Sequence, residues 1–344
     1  MNPVITRQDE NYKSRRVTVT GADGFIGSHL AEALVRLGAE VTALAQYNAF
    51  DRNGWLDELD PAARASLRIV RGDIRDGAFM MRLLADQDIV FHLAALIAIP
   101  YSYAAPQSYV ETNVTGTLNV LEAARTHGIA RVVHTSTSEV YGTAQTLPIA
   151  ESHPLQAQSP YAASKIAADK LAQSYALSFD LPVVVLRPFN TYGPRQSERA
   201  VIPSVIRQAL DPACGAIRIG DPTPTRDFTF IGDTVAAFLA IGHATGIAHG
   251  EPYNAGTGKA VSIGEVVEHI RILTGANKPI ETEDARMRPE RSEVRALLAD
   301  ARRLAAATAW APRVELANGL AQTVDWWRAR LAAGAVRPLT GYAT

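Results

Sequence analysis

The chain has 344 residues, with 34 basic and 35 acidic side chains, 47% hydrophobic residues and 20% charged ones. An ordinary globular apolar fraction excludes a disordered, collagen-like or charge-driven protein, and the length fits two domains or one α/β domain with a large appendage. A formal net charge of -1 gives no bulk attraction to nucleic acid or to anionic membrane, so neither is expected as a partner.

Residues 1–16 form a polar, charged leader without the apolar core of a secretory signal. Residues 16–20 then read as a β-strand that stops at Gly21. Apolar residues recur at helical spacing over 25–37, with Gly38 placed as a C-terminal cap. The alternation continues with strands at 40–44, 67–71, 89–93, 131–135 and 183–186, and with helices at 78–84, 109–126 and 161–179. Strand–helix alternation implies right-handed βαβ units, hence a doubly wound parallel Rossmann sheet with helices on both faces. Beyond Arg187, prolines and glycines crowd the chain (Pro188, Gly193, Pro194, Pro203, Pro212, Gly220, Pro222, Pro224), which reads as a smaller, irregular C-terminal part. The hydrophobic run 228–239 returns to the first part. The division expected is 14–186 plus about 227–252 for the dinucleotide domain, and 187–226 plus about 253–332 for the substrate domain.

The longest apolar stretch, 89–100, contains His92 and ends in proline, well short of the ~20 residues that span a bilayer. Cys214 is the single cysteine, so neither an internal disulfide nor a multi-thiolate metal site can form, and no metal is expected. Sparse cysteine fits a reducing compartment. The expectation is a soluble, cytoplasmic chain.

Gly21-Ala22-Asp23-Gly24-Phe25-Ile26-Gly27 is a G-x-x-G-x-x-G loop between the first strand and the first helix. Glycine is needed there for a tight turn, for close approach of the backbone to a pyrophosphate, and for helix–strand packing. The free N–H groups and partial positive charge of the helix N-terminus complete an anion site. Three glycines alone are a weak signal; the strand before and the helix after supply the context that a dinucleotide loop requires. An acid is expected about 20 residues on, to bind a ribose hydroxyl. The chain has Leu44-Ala45-Gln46-Tyr47-Asn48 there, with Asp51-Arg52 slightly later, and no arginine directly after the strand to favour a 2′-phosphate. The cofactor expected is NAD rather than NADP. Asp73 is placed to accept from the adenine amino group, or else to cap the end of its strand.

Tyr161 and Lys165 stand four residues apart on one helix face. A phenol with a pKa near 10 is a poor base at neutral pH, and a nearby cation lowers that value. Upstream, Thr135-Ser136-Thr137-Ser138-Glu139 leaves the C-terminal end of a buried strand, where open α/β sheets bind ligands. Thr137 is in position to hydrogen-bond Tyr161 and a substrate hydroxyl. Glu139 follows as a base toward a carbon acid, or as a solvated carboxylate. His134 reads as a packed strand residue rather than a catalytic one.

These residues, with Gly72-Asp73-Ile74, His92-Leu93-Ala94-Ala95, Asn113, Arg187-Pro188-Phe189-Asn190, Tyr192-Gly193-Pro194, Arg226-Asp227-Phe228 and Arg288-Pro289-Glu290, resemble the extended short-chain dehydrogenase/reductase family of nucleotide-sugar epimerases and dehydratases. The likeness covers about residues 16–330. It implies Thr137, Tyr161 and Lys165 as a catalytic triad. It also implies cofactor contacts from Gly21, Asp23, Gly24, Phe25, Ile26, Gly27, Asp73, Ile74, Leu93, Ala94, Ala95, Asn113, Tyr161, Lys165 and Pro188. Within the family, Thr137-Ser138-Glu139 resembles the Thr-Asp-Glu or Thr-Ser-Glu of sugar 4,6-dehydratases, whereas simple 4-epimerases carry small neutral residues at the last two positions. Segments 96–103 and 158–165 look most like dehydratases of nucleotide-linked N-acetylglucosamine that serve legionaminic-type sugars.

The resemblance implies a cycle in which Tyr161, assisted by Thr137, takes the proton of the 4-hydroxyl while NAD takes the 4-hydride. Glu139 then removes the 5-hydrogen, water leaves carbon 6, and the hydride returns there. Ser138 stands where many relatives have an aspartic acid that protonates the departing hydroxyl, so it is expected only to position that group. The resemblance puts Asn190, Arg226 and Arg288, with Arg195 as a weaker candidate, around a nucleotide diphosphate, whose oxygens a planar guanidinium binds bidentately. The plain alternatives are surface pairs of Arg226 with Asp227 or Asp233, and of Arg288 with Glu290 or Glu293. Trp310, Trp326 and Trp327 are expected to fill a small core. The rival functions are a nucleotide-uronic acid decarboxylase, then a 4-epimerase, then a non-catalytic dinucleotide sensor. A homodimer through the helices near 106–126 and 161–179 is expected.

Overall fold

The structure is a computed structural model that describes residues 11–337. The first ten residues of the polar leader, in which no secretory signal is read, lie outside the described residues. Seven strands form the central sheet: β1 (Arg16–Thr20), β2 (Glu40–Gln46), β3 (Leu67–Gly72), β4 (Ile89–His92), β5 (Arg131–Thr135), β6 (Val183–Pro188) and β7 (Pro252–Ala255). Their order is β7-β6-β5-β4-β1-β2-β3, and every pairing is parallel. A parallel sheet covered on both faces needs apolar residues on both, so its strands read as continuous hydrophobic runs. The six residues of β6 are all buried, and successive residues feed opposite cores. Phe91, Val133 and Val184 join one cluster, while their neighbours Val90, Val132, Val183 and Val185 join the other.

Helix α1 (Phe25–Arg36) and helix α5 (Ile231–His243) cover the first face. Helices α2 (Gly77–Leu83), α3 (Gly116–His127) and α4 (Pro160–Phe179) cover the second. Helix α4 begins with Pro160 in its first turn, and the Ser159 hydroxyl caps it by accepting from the Ala162 N–H at 3.1 Å, the arrangement helix starts favour. The single helix expected over 109–126 is instead composite. A short helix Pro106–Tyr109 runs into a π-helical turn, Val110–Thr115, and then into α3, which Gly128 ends at φ 62°. A π-turn widens the helix locally, and here it coincides with Asn113, which lies inside the protein at 1% exposure.

Strand order reverses between β1 and β4, and the crevice beyond their C-terminal ends is where such sheets bind ligands. After Phe228 the chain forms α5, which packs beneath the sheet, and then β7, which closes the sheet's edge through Ala255. The remaining C-terminal residues make helices Val201–Leu210, Ile263–Thr274 and Leu316–Ala332 and several small sheets. One of these centres on the strand Thr225–Asp227, flanked by Ala260–Ser262 and Ala296–Leu297. Trp310 and Trp327 are buried in this part, while Trp326 packs edge-on against Trp55.

Candidate active site

The glycine loop is as tight as its sequence requires. Gly21 has φ +67°, and a Cβ on it would lie 2.8 Å from the Ala94 nitrogen. On Gly27 a Cβ would meet the Gly21 carbonyl oxygen at 2.1 Å. No side chain caps the N-terminus of α1, which leaves its amides to an anion. Thr20, at the end of β1, aligns the facing segment, its hydroxyl accepting from the Leu93 and Ala94 N–H groups at 3.1 Å each. A dinucleotide pyrophosphate fits this cradle. The acid missing from the end of β2 arrives from the loop itself: an Asp23 carboxylate oxygen accepts from the Gln46 N–H at 3.1 Å. Burial raises the Asp23 pKa above the usual carboxylate range. Asp51, the other nearby acid, is paired with Arg71.

Across the crevice, the end of β5 delivers the reactive residues. Thr137 starts a short 3-10 turn, Ser138–Tyr141, and its hydroxyl accepts from the Glu139 N–H at 3.2 Å. The same hydroxyl neighbours the Tyr161 phenol and favours its ionised form. The Glu139 side chain is 12% exposed. Tyr161 lies against Ile99, Tyr109 and Leu96, an apolar wall. The expectation that Lys165 lowers the Tyr161 pKa is corrected here. The Lys165 ammonium donates to the Thr135 carbonyl at 2.6 Å, and the Tyr161 phenol is pushed well above its ordinary range. Burial is the main cause; the neighbouring Thr137 hydroxyl works against it, and the charge of Glu139 adds to it. Burial also brings Lys165 down to about 8, with Asp169 opposing the fall. His134 is a packed residue, as expected, wholly buried with its pKa lowered by that burial.

Two of the expected phosphate ligands converge on Glu139. Arg226, 5% exposed, donates to Glu293 at 2.9 Å. Arg288 lies 3.8 Å from Glu139 and 3.8 Å from Glu293, and its Nη1 is buried without a hydrogen-bond partner. Neither Asp227 nor Asp233 takes Arg226. Asp227 accepts from the Thr257 and Gly258 N–H groups, and Asp233 accepts from the Val314 N–H. The Glu290 side chain lies outside the described residues. The Asn190 side-chain oxygen is buried with no hydrogen-bond partner among them, an atom that asks for a donor.

Three expected site residues are engaged elsewhere. Arg195 donates to Glu32 of α1 at 2.8 Å. The Asp73 carboxylate is gripped by the Arg75 guanidinium, with contacts of 2.9 and 2.6 Å to one oxygen. The Asn113 side chain braces the segment after β4: it accepts from the Leu96 N–H at 2.8 Å and donates to the Leu96 carbonyl and to the Ser164 hydroxyl, each at 2.9 Å. The sequence offers Glu293 only as a surface partner of Arg288 and gives no reading of Asp169. Glu293 links the two arginines, and Asp169 continues the four-residue spacing of Tyr161 and Lys165, a signal present in the sequence.

A glycine-loop Rossmann sheet that brings threonine, tyrosine and lysine to one strand end has the architecture of the extended short-chain dehydrogenase/reductases. The chain belongs to the GDP-mannose 4,6 dehydratase family, whose profile matches residues 18–323. It is 36% identical over 320 residues to a UDP-glucose 4-epimerase of Mycolicibacterium smegmatis, covering 91% of this chain and 98% of that one. It is 35% identical over 319 residues to a dTDP-glucose 4,6-dehydratase of an Actinoplanes species, with 91% and 98% covered. Among solved structures it is similar to DesIV, a dTDP-glucose 4,6-dehydratase of Streptomyces venezuelae with NAD bound, at TM-score 0.83 and 31% identity, covering 94% of this chain and all of that one.

Proposed function

We propose that the chain is an NAD-dependent nucleotide-sugar 4,6-dehydratase that converts a nucleotide hexose to its 4-keto-6-deoxy product. The observation that carries this reading is Glu139, a largely buried carboxylate two residues beyond Thr137 and close enough to the Tyr161 phenol for its charge to act on it. A 4-epimerase needs no base beyond the tyrosine, whereas elimination of water needs one for the hydrogen next to the ketone. Gly21, Gly24 and Gly27, with the amides at the start of α1, would hold the pyrophosphate. Asp23 at the end of β2 favours NAD, because its carboxylate would repel a 2′-phosphate. Bound NAD supplies a hydride acceptor and donor, and its oxidised ring supplies positive charge.

The chain's own residues do the rest. Thr137 and Tyr161 hold the 4-hydroxyl, and Tyr161 takes its proton once neighbouring positive charge offsets its burial. Glu139 takes the hydrogen of carbon 5. Ser138 positions the hydroxyl that leaves, and Glu139 or water returns the proton. Such acid–base steps are typically worth 10²–10⁴-fold each. Arg226, Arg288 and Asn190 would grip the nucleotide diphosphate.

N-acetylglucosamine is the sugar we favour, on the pattern of segments 96–103 and 158–165. One observation favours the uronic acid decarboxylase instead: Arg288, a cation suited to a sugar carboxylate, lies 3.8 Å from Glu139. Mass spectrometry after incubation with nucleotide hexoses, N-acetylhexosamines and uronic acids decides the matter. Loss of water supports the dehydratase, loss of carbon dioxide the decarboxylase, and unchanged mass with an altered sugar the epimerase.

No described helix is long and apolar enough to cross a membrane, which fits the cytoplasmic enzyme we infer. A homodimer belongs to the same proposal, supported by Leu118, Leu177 and Phe179, which stand exposed on α3 and α4. Light scattering of the purified protein would test it.

A further inference from the structure

Tyr161, Lys165 and Asp169 follow one another at four-residue spacing along α4, and all three are buried, so they occupy one helix face. That face is fastened to the end of β5 at two points. The Lys165 ammonium donates to the Thr135 carbonyl at 2.6 Å, and the Ser136 hydroxyl donates to an Asp169 carboxylate oxygen at 2.8 Å. The other Asp169 oxygen lies 3.3 Å from the His134 ring nitrogen. Thr135 and Ser136 directly precede Thr137, Ser138 and Glu139. The two contacts therefore set where the reactive strand end stands relative to the helix that carries Tyr161.

Asp169 is backed by a second layer. Arg187 of β6 donates to it through Nε at 3.2 Å and Nη2 at 2.9 Å, and through Nη1 to the Tyr141 hydroxyl at 2.9 Å. The Tyr141 hydroxyl in turn donates to Asn254 of β7 at 2.7 Å. Asp169 and His134 have 0% exposure and Arg187 has 1%. A buried carboxylate persists as an ion only when paired in this way.

We propose that Asp169 is a positioning residue of the reaction centre, clamping the end of β5 to α4 through Ser136 and serving as the buried counter-charge of Lys165. The assignment rests on the functional reading above, because it gives Asp169 its purpose through Lys165 and Tyr161. The charged and titratable groups around Lys165 bear out the arrangement from every side. His134 on β5 and His92 on β4 are both driven toward the neutral form by burial. Arg187 on β6 is a cation, and Tyr161 on α4 is neutral. Burial drives the Lys165 ammonium toward neutrality, and Asp169 is the group that opposes this. Burial would also neutralise Asp169, but the neighbouring His134 ring and the charges of Arg187 and Lys165 outweigh it and hold its pKa below the usual range.

The chain contains five lysines, Lys13, Lys165, Lys170, Lys259 and Lys278, so lysine labelled with carbon-13 at Cε gives a spectrum in which Lys165 can be assigned with a Lys165→Arg variant. In the wild type its signal is expected to titrate near 8. In Asp169→Asn, which keeps a hydrogen-bonding side chain of the same size and removes the charge, it should titrate lower by roughly one pH unit or more. An unmoved midpoint overturns the counter-charge role. Asp169→Asn also strips Arg187 of its partner, so a second variant covers a failure to fold. Ser136→Ala keeps every charge and should speed amide exchange in residues 135–139 roughly fivefold, the worth of one hydrogen bond. Unchanged exchange there overturns the clamp. Neither readout needs a substrate, so an enzyme inert toward all nucleotide sugars would sink the functional reading while leaving Asp169 to be judged by these two measurements.

Discussion

The Lys165 ammonium, one helical turn after Tyr161, donates to the Thr135 carbonyl at 2.6 Å. Burial lowers its pKa to about 8, against about 10.4 for a free lysine. If the charged form serves catalysis, kcat must fall as pH rises through about 8. Stability should move the opposite way. Between those two values the unfolded chain binds the proton and the folded chain does not, so folding strengthens as pH rises across that window. Denaturant titrations of wild type and Lys165→Met at both ends of the window should differ by up to about 3 kcal/mol. A wild type whose kcat stays flat to pH 10 would contradict the assignment.

Glu139 holds its backbone N–H on Thr137 and its side chain toward Arg288. Glu139→Gln should leave the first, oxidative half of the reaction intact and slow elimination by about 10²–10⁴-fold, the usual worth of a general base. Reduced cofactor would then accumulate on the enzyme after one substrate addition, visible as near-ultraviolet absorbance. Release of dehydrated product at the normal rate would remove Glu139 from the mechanism.

Much of this was legible in the chain, and physics explains the boundary. The strands of a doubly covered parallel sheet must be apolar on both faces, so β1, β4, β5 and β6 announced themselves. The glycine loop was legible because its backbone packs so closely that a Cβ on Gly27 would lie 2.1 Å from the Gly21 oxygen, which admits no side chain. Side-chain pairings were not. Arg226 finds Glu293 across 67 residues and Arg195 finds Glu32 across 163, distances over which no local periodicity carries information. The π-turn at Val110–Thr115 was hidden for a related reason. It depends on Asn113 bracing Leu96 and Ser164, which belong to two other segments. The Tyr161 pKa was misjudged because four-residue spacing reports proximity and says nothing of burial, the dominant effect there.

The glycines are expected to be unequal. A Cβ on Gly27 would lie 2.1 Å from the Gly21 oxygen and 2.9 Å from the Ala22 Cα, all rigid backbone, whereas one on Gly24 would find its nearest neighbour at 3.3 Å. Gly27→Ala should therefore cost about 1–3 kcal/mol of stability through overpacking and weaken NAD at least roughly tenfold by displacing the loop. Gly24→Ala should stay near wild type in thermal unfolding. Equal loss of melting temperature in the two variants would contradict this account of the loop.

Arg195 and Arg226 were grouped by sequence as phosphate ligands, but their surroundings separate them. Arg195 is held by Glu32 on α1, and Arg226 is buried beside Glu293 and in the field of Glu139. Arg195→Ala should change nucleoside diphosphate affinity less than roughly twofold, its main effect being about 1–3 kcal/mol of stability from the hydrogen bond that Glu32 loses. Arg226→Ala should weaken the same ligands at least roughly tenfold, since a charge-assisted contact to phosphate is worth about 1.5–3 kcal/mol. It should also destabilise the fold by leaving Glu293 short of its partner. Calorimetric titration with UDP, GDP and dTDP reads both variants directly and ranks the bases at the same time. Equal affinity losses would return Arg195 to the substrate site and detach its pairing with Glu32 from the bound state.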